Sequence, residues 1–276
     1  GDMFGEMALI DRGTVSATVV ATGNVDGWFV GRDDFRAMVA SREAKALDVQ
    51  RAITRILADK LRALNERIKE YPAVEDHPAL GEVPAADPLA GAPRSRQASF
   101  DWKAFLSILP FFEGFDAHEM DELASLGKVI ELPRGAWVFA AGLPASAAFL
   151  VVRGALEVFT RGSGRERRVA IAGPGELVGY VALIRGAPHG GNVRVREACC
   201  LLEIPRAGFM EVYEGSSGAT VSLHHAIHRS LMRALGRTNT QLTRLISHAR
   251  LTDATKKAEE LEAALAGQVV RAEAPG

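Results

Sequence analysis

VGYVALIRGAPHGGNVRV, residues Val178–Val195, repeats a stretch near the start of the chain, FGEMALIDRGTVSATVVA, residues Phe4–Ala21. Laid over each other without a gap, the two share Gly5 with Gly179, Ala8-Leu9-Ile10 with Ala182-Leu183-Ile184, and Val19 with Val193. Such a repeat predicts two copies of one structural unit. The second copy has ample sequence ahead of it and the first almost none, so the chain is expected to begin inside its first unit.

Working outward from the first copy, residues 1–40 read as strand–turn–strand, with Ala17–Ala21 and Trp28–Val30 as apolar runs around the turn residues Thr22–Asp26. Asp33-Asp34 stands where a helix N-cap belongs, with negative charge at the positive end of the helix dipole. From Arg42 to Glu70 the period becomes helical, with Val49, Ile53, Ile56 or Leu57, Leu61, Leu64 and Ile68 on one face. Residues 71–98 hold Pro72, Pro78, Pro84, Pro88 and Pro93 and predict an extended linker.

The second unit reads as complete over 99–250. Phe100–Lys128 predicts short helices, with Asp116 and Glu119 at capping-box spacing. Val129–Pro205 carries short apolar runs separated by turns, which is β-sandwich or barrel patterning. A long helix is predicted over Ala219–Ala249, where Leu223, Ile227, Leu231, Ala234, Thr238, Leu242 and Leu245 make a near-heptad seam. A charged helical tail over 251–276 is expected to stop at Gly267.

The 276 residues are 47% hydrophobic with a formal charge of −1, enough apolar material for a substantial core and no overall basic balance for nucleic acid. Two adjacent cysteines, Cys199-Cys200, supply neither a disulfide framework nor a cluster ligand set. No apolar run approaches the roughly 20 residues of a membrane helix, since Ala147–Phe159 is cut by Arg153. No signal-peptide pattern is visible, so a cytoplasmic setting without membrane or nucleic-acid partner is expected. Nucleophile-elbow, Walker and kinase motifs are missing, which argues against an enzyme.

Three passages carry a family resemblance: Leu106–Asp116 (LSILPFFEGFD), Gly135–Phe139 with Gly142 and Phe149–Gly154, and Pro174-Gly175-Glu176 leading into the repeated stretch. In these the chain resembles the cyclic nucleotide-binding domain family of catabolite-activator-type regulators, protein kinase A regulatory subunits and gated channels. The resemblance implies a mainly β fold with flanking helices (α+β), a double-stranded β-helix or jelly roll, present as one complete copy and one C-terminal half copy. It places the repeated stretch at the family's phosphate-binding cassette, where a Gly and a one-turn helix present backbone N–H groups to the cyclic phosphate. There a Glu accepts the ribose hydroxyl and an Arg pairs with the phosphate.

Carried over residue by residue, the first cassette keeps Gly5, Glu6 and Ala8 around Met7, and Ser16-Ala17 in the polar strip, with Val15 at the Arg position. Arg12, three residues earlier, is the nearest substitute. The second keeps Gly179 and Ala182 around Val181, with Tyr180 for the Glu, His189 for the Arg, and Gly190 following. Neither copy has both ligand-holding side chains. His189 is a candidate donor to a phosphate, in a charge state set by its surroundings. No cofactor is firmly implied; cAMP or cGMP is the ligand the resemblance suggests.

Beyond the cassettes, His224, His225 and His228 form an HHxxH run whose simplest reading is solvated histidines rather than metal ligands. Arg229, Arg233 and Arg237 read as a solvated face or, failing that, a docking strip for an acidic partner. Cys199-Cys200 reads as buried and inert. Arg94–Phe100 resembles a basophilic kinase site at Ser99, against the simpler reading of Ser99 as a helix cap. Two functional readings follow: a ligand-sensing regulatory module signalling through helix 219–249 to a protein partner or homodimer, or a ligand-free structural protein with degenerate pockets. A third makes the chain the regulatory part of a larger transcription factor, kinase or channel.

Overall fold

The computed structural model describes residues 3–10, 18–71, 82–94, 98–162 and 165–272, without the side chains of 161, 162, 165 and 253–272. Arg12, Val15, Ser16 and Ala17 lie outside the described residues. The N-terminal part is helical: α1 (Glu6–Ile10), α2 (Arg32–Ala40) and α3 (Ala44–Lys69). After α4 (Lys103–Leu106), a 3-10 turn over Pro110–Phe112 and α5 (Ala117–Ser125) come β1 (Lys128–Leu132), β2 (Trp137–Phe139), β3 (Ala147–Gly162), β4 (Arg165–Ala172) and β5 (Leu177–Val178). Then follow α6 (Tyr180–Arg185), β6 (Asn192–Pro205), α7 (Arg206–Glu214) and the long α8 (Gly218–Ala272).

The strands form one antiparallel sheet in the order β1-β6-β3-β4, with β2 added on β6 and β5 on β3. The bends and register shifts in β3 curl it into a roll. Phe149-Leu150-Val151-Val152 is apolar throughout because both its faces are buried. Ala147, Phe149 and Val151 point into the roll, whereas Ala148, Leu150 and Val152 face the helices. The period of two also divides the adjacent cysteines, Cys199 inside the roll and Cys200 on the helix side. The Asp116–Glu119 capping box forms as the sequence predicts.

The long helices α3 and α8 pack parallel. Leu57 and Ile53 join Leu223, Ile227 and Leu231 in one core, and Ile68 meets Leu242 and Leu245 further along. Thr54 lies against His228, 174 residues later, and this spacing also separates the first residues of α1 and α6, α2 and α7, and α3 and α8. The helix pairing therefore has the register of the sequence repeat.

Several expectations are corrected. Residues 18–31 form no strand, and Trp28 and Phe29 stand 101% and 94% exposed. The equivalent strand in the second copy, β6, is held by ladders to β1, β2 and β3, and an isolated strand has no such partners. Gly31, not Asp33 or Asp34, caps α2, although both aspartates occupy its first turn. Part of the expected linker is docked on the roll: Leu89 is buried within it, and Arg94 forms a bidentate ion pair with Glu203, with Nη2 3.0 Å from Oε1. Ser99 does not cap α4, which is capped by Trp102; its Oγ donates to Glu131 at 2.5 Å. Helix α8 continues past Gly267 to Ala272, a helix-interior glycine costing only about 1 kcal/mol. Among the described residues no helix is long and apolar enough to cross a membrane.

The seam expected to meet a second chain is occupied within this one. Leu223, Ile227 and Leu231 are fully buried, and α3 covers them. A near-heptad pattern registers that a helix has an apolar neighbour, but not whose helix that is.

Candidate functional site

The turn Gly173–Glu176 fixes one wall of the site. Glu176 accepts from the Gly173 N–H at 2.9 Å through one carboxylate oxygen and from Arg237 of α8 at 2.6 Å through the other. The chain then crosses β5 to Gly179, which caps α6 with φ +83°; a Cβ there would stand 3.0 Å from the Ala147 carbonyl oxygen. That left-handed conformation and close approach require glycine. Gly5 precedes α1 with the same geometry, φ +78°.

A cavity of about 530 Å³ opens behind this turn. Gly179, Tyr180, Val181, Ala182, His189 and Gly190, the second cassette's six candidates, all line it. Phe139, Phe159 and Val193 of the roll form its apolar floor. Helix α8 closes one side with Ser230, Arg233, Arg237 and Thr238, and α3 reaches the rim with Leu61, Arg62 and Asn65. The size suits a small ligand, with an apolar body and a few polar groups around it.

His189 forms a wall. Its ring stacks on Phe139 with centroids 3.8 Å apart and planes 10° from parallel, and its backbone bonds to Leu143 and Gly142. Burial pushes its pKa down to about 4, with Asp87 opposing weakly, so near neutral pH the ring is uncharged. The charge state that the sequence left to the surroundings of His189 is thus that of a neutral, stacked ring. Tyr180, in the Glu position, is buried, and that burial raises its phenol pKa; Arg237, Arg233 and Glu176 are the charges it senses. Asn192 is structural, accepting from the Ala141 N–H at 2.8 Å.

The first cassette lies apart from this cavity. Glu6 is buried, and its carboxylate already accepts from Lys60 of α3 at 2.5 Å. The Ala8 carbonyl takes two bonds from Arg32, at 2.9 and 2.6 Å.

The arginine stripe on α8 is half-buried at Arg229 and exposed at Arg233 and Arg237, and it faces the roll. Arg229 donates to the Phe111 and Glu113 carbonyls at 3.2 and 2.8 Å, Arg237 holds Glu176, and Arg233 lines the cavity. The four-residue spacing was legible in sequence; the roll it faces was not. Arg62 and Thr160 had no sequence signal, because what makes them notable is their place on a wall built from distant segments.

His224 and His228 are buried, not solvated. His224 Nε2 lies 2.9 Å from the Tyr213 carbonyl, and His228 Nε2 2.8 Å from Thr54 Oγ1. Among the described residues no group of three His, Cys, Asp or Glu is arranged to hold a metal ion. Burial raises the Cys199 and Cys200 thiols to about 12 and about 11, which removes the thiolate that reactivity needs.

A roll with a Gly-headed short helix and a long helix across the opening makes up the site. Residues 129–216 match the family model described as the cyclic nucleotide-binding domain, so the chain contains such a domain. Among solved structures, it is similar to the Thermus thermophilus catabolite activator protein (26% identity, 55% of this chain and 63% of that one, TM-score 0.35). It is also similar to the regulatory domain of Toxoplasma gondii PKA, solved with cAMP (21% identity, 44% and 46% covered, TM-score 0.39). A third is the c-di-GMP-responsive global regulator CLP of Xanthomonas campestris (24% identity, 53% and 65% covered, TM-score 0.34). This chain spans less than two thirds of each of these three proteins. No curated protein matches the sequence.

Proposed function

We propose that the chain is a ligand-sensing regulatory module that binds a cyclic-nucleotide-type anion in the cavity between the second cassette, α8 and α3, and is not an enzyme. The observation that carries this is the cavity itself, enclosed by the residues of residue 129–216's cassette and lined by more guanidinium groups than carboxylates. The resemblance points to cAMP or cGMP, and c-di-GMP joins them because the Xanthomonas regulator responds to it.

The tandem organisation belongs to this reading: a C-terminal half unit over 1–70, a linker over 71–98, a complete unit over 99–250 and a helical tail over 251–276. The recurrence of the 174-residue spacing in three successive helix pairs supports it. In the first unit, Gly5, Glu6, Met7, Ala8, Ser16 and Ala17 would be a cassette without a ligand role, since Lys60 already pairs with Glu6. The same pairing favours the second reading for that half, a purely structural role. The setting we propose is cytoplasmic, with a larger regulator as the context in which the module acts.

Isothermal titration of the whole chain with cAMP, cGMP and c-di-GMP tests the reading. Binding of one of them, at one site per chain, is expected. Heats indistinguishable from dilution for all three at millimolar ligand would leave the ligand-free interpretation in place.

A further inference from the structure

The cassette does not explain how this cavity would hold a negative charge. Its Arg position carries His189, whose ring is committed to Phe139, and Gly190-Gly191 follow with no side chains to offer. Cations are present on the helical walls instead. Arg237 is bound to Glu176, Arg185 to Asp59 and Lys69 to Glu66. That leaves Arg62 of α3 and Arg233 of α8, both exposed at the cavity and both without a carboxylate partner among the described residues.

A second observation points to a polar occupant. Thr160 Oγ1 on the roll, Ser230 Oγ on α8 and Arg185 Nε on α6 are buried, line the same cavity and have no hydrogen-bond partner among the described residues. Thr160 as a residue is only 4% exposed. Buried polar atoms are nearly always paired, and a cluster of unpaired ones around one space marks groups that a ligand's polar edges would satisfy.

We propose that the cavity takes a phosphate-bearing anion whose charge is held between Arg62 and Arg233, so that occupancy fastens α3 to α8. This rests on the ligand-sensing reading and adds where the charge sits and what it controls. Arg62 and Arg233 come from segments more than 170 residues apart and converge only because α3 lies along α8 in the repeat register. An anion bridging two guanidinium groups makes charge-assisted bonds to both helices. By linkage, the ligand then stabilises the α3–α8 contact by the factor by which that contact strengthens its binding. A ligand held by the cassette alone would leave α3 indifferent to occupancy.

The test uses the whole chain, with cAMP, cGMP and c-di-GMP as probes. Calorimetry is run on the wild type, Arg62→Ala, Arg233→Ala, His189→Gln and, as a control off the cavity, Arg55→Ala; amide hydrogen exchange is followed across α3. Arg62 and Arg233 are exposed, and matching thermal melts will establish that their variants stay folded. Each of these two variants should weaken the bound probe about tenfold or more and reduce its salt dependence. Arg55→Ala should bind as wild type, and the probe should slow exchange in the second half of α3. Wild-type affinity in both Arg62→Ala and Arg233→Ala, or unchanged exchange in α3 on saturation, would overturn the bridge while leaving ligand sensing intact. Absence of binding by every probe to the wild type would instead overturn the sensing reading, and the bridge with it.

Discussion

His228 lies against α3 with its ring between Thr54 and the Gln50 carbonyl, and His224 beside it bonds to the Tyr213 carbonyl. Burial, helped by His224 and His225, lowers His228 to about 3, and burial, helped by Arg51 and His225, lowers His224 to about 4, from an ordinary 6.5. Below pH 6.5 the unfolded chain therefore binds more protons than the folded one. The stability these neutral rings contribute is complete above that pH and is lost as pH falls toward 4 and then 3. Urea titrations should show a loss of roughly 2 kcal/mol per ring between pH 7.5 and 5. His228→Leu should flatten that slope, and a slope unaltered by this change would mean the ring is not the titrating group. Gly154 makes a second residue-scale prediction. At φ +87° its Cβ would run into the Ala198 carbonyl and Cys199, so Gly154→Ala should destabilise the roll by about 2 kcal/mol or more, read as a lowered melting temperature.

At the scale of elements, the α3–α8 pair decides how the apolar seam is used. Leu57 of α3 is fully buried against it, and Leu57→Ala should cost about 2–5 kcal/mol through lost transfer energy and a cavity. Leu231→Glu places a charge at a fully buried position and should release α3, opening it to protease while the roll stays resistant. Co-digestion of roll and helix at one rate would show that the two unfold as a unit. The linker's docking is a smaller device of the same kind. Arg94→Ala leaves Glu203, 7% exposed, without its guanidinium, at an expected cost of about 3 kcal/mol. The apolar faces of α3 and of the first half of α8, and both ends of α3, were legible in the sequence, because they follow from a period of 3.6 that local residues set; α7 and the continuation of α8 to Ala272 were not. Nor were the missing strands of residues 18–31. Val19, Val20 and Trp28-Phe29 have the composition of strands, but a strand exists only through ladders to other strands.

For the whole molecule, a chain shortened to residues 82–276 exposes the α8 seam that α3 normally covers. It should self-associate in a sedimentation experiment where the full chain at equal concentration does so less. The repeat Phe4–Ala21 and Val178–Val195 marked the two Gly-headed short helices at Gly5 and Gly179, and short apolar runs such as Phe149–Val152 with the turns between them marked the roll. These are properties of contiguous residues and can be read without knowing what packs against them. The sequence also showed that Tyr180 and His189 depart from the ligand-holding pattern. That His189 is neutral and stacked, that Glu6 is matched by Lys60, and that the cavity's spare cations come from α3 and α8 became visible with the packing. Charge state, pairing and enclosure depend on desolvation and on which distant groups are brought near. Those quantities come into being when the helices and the roll pack together.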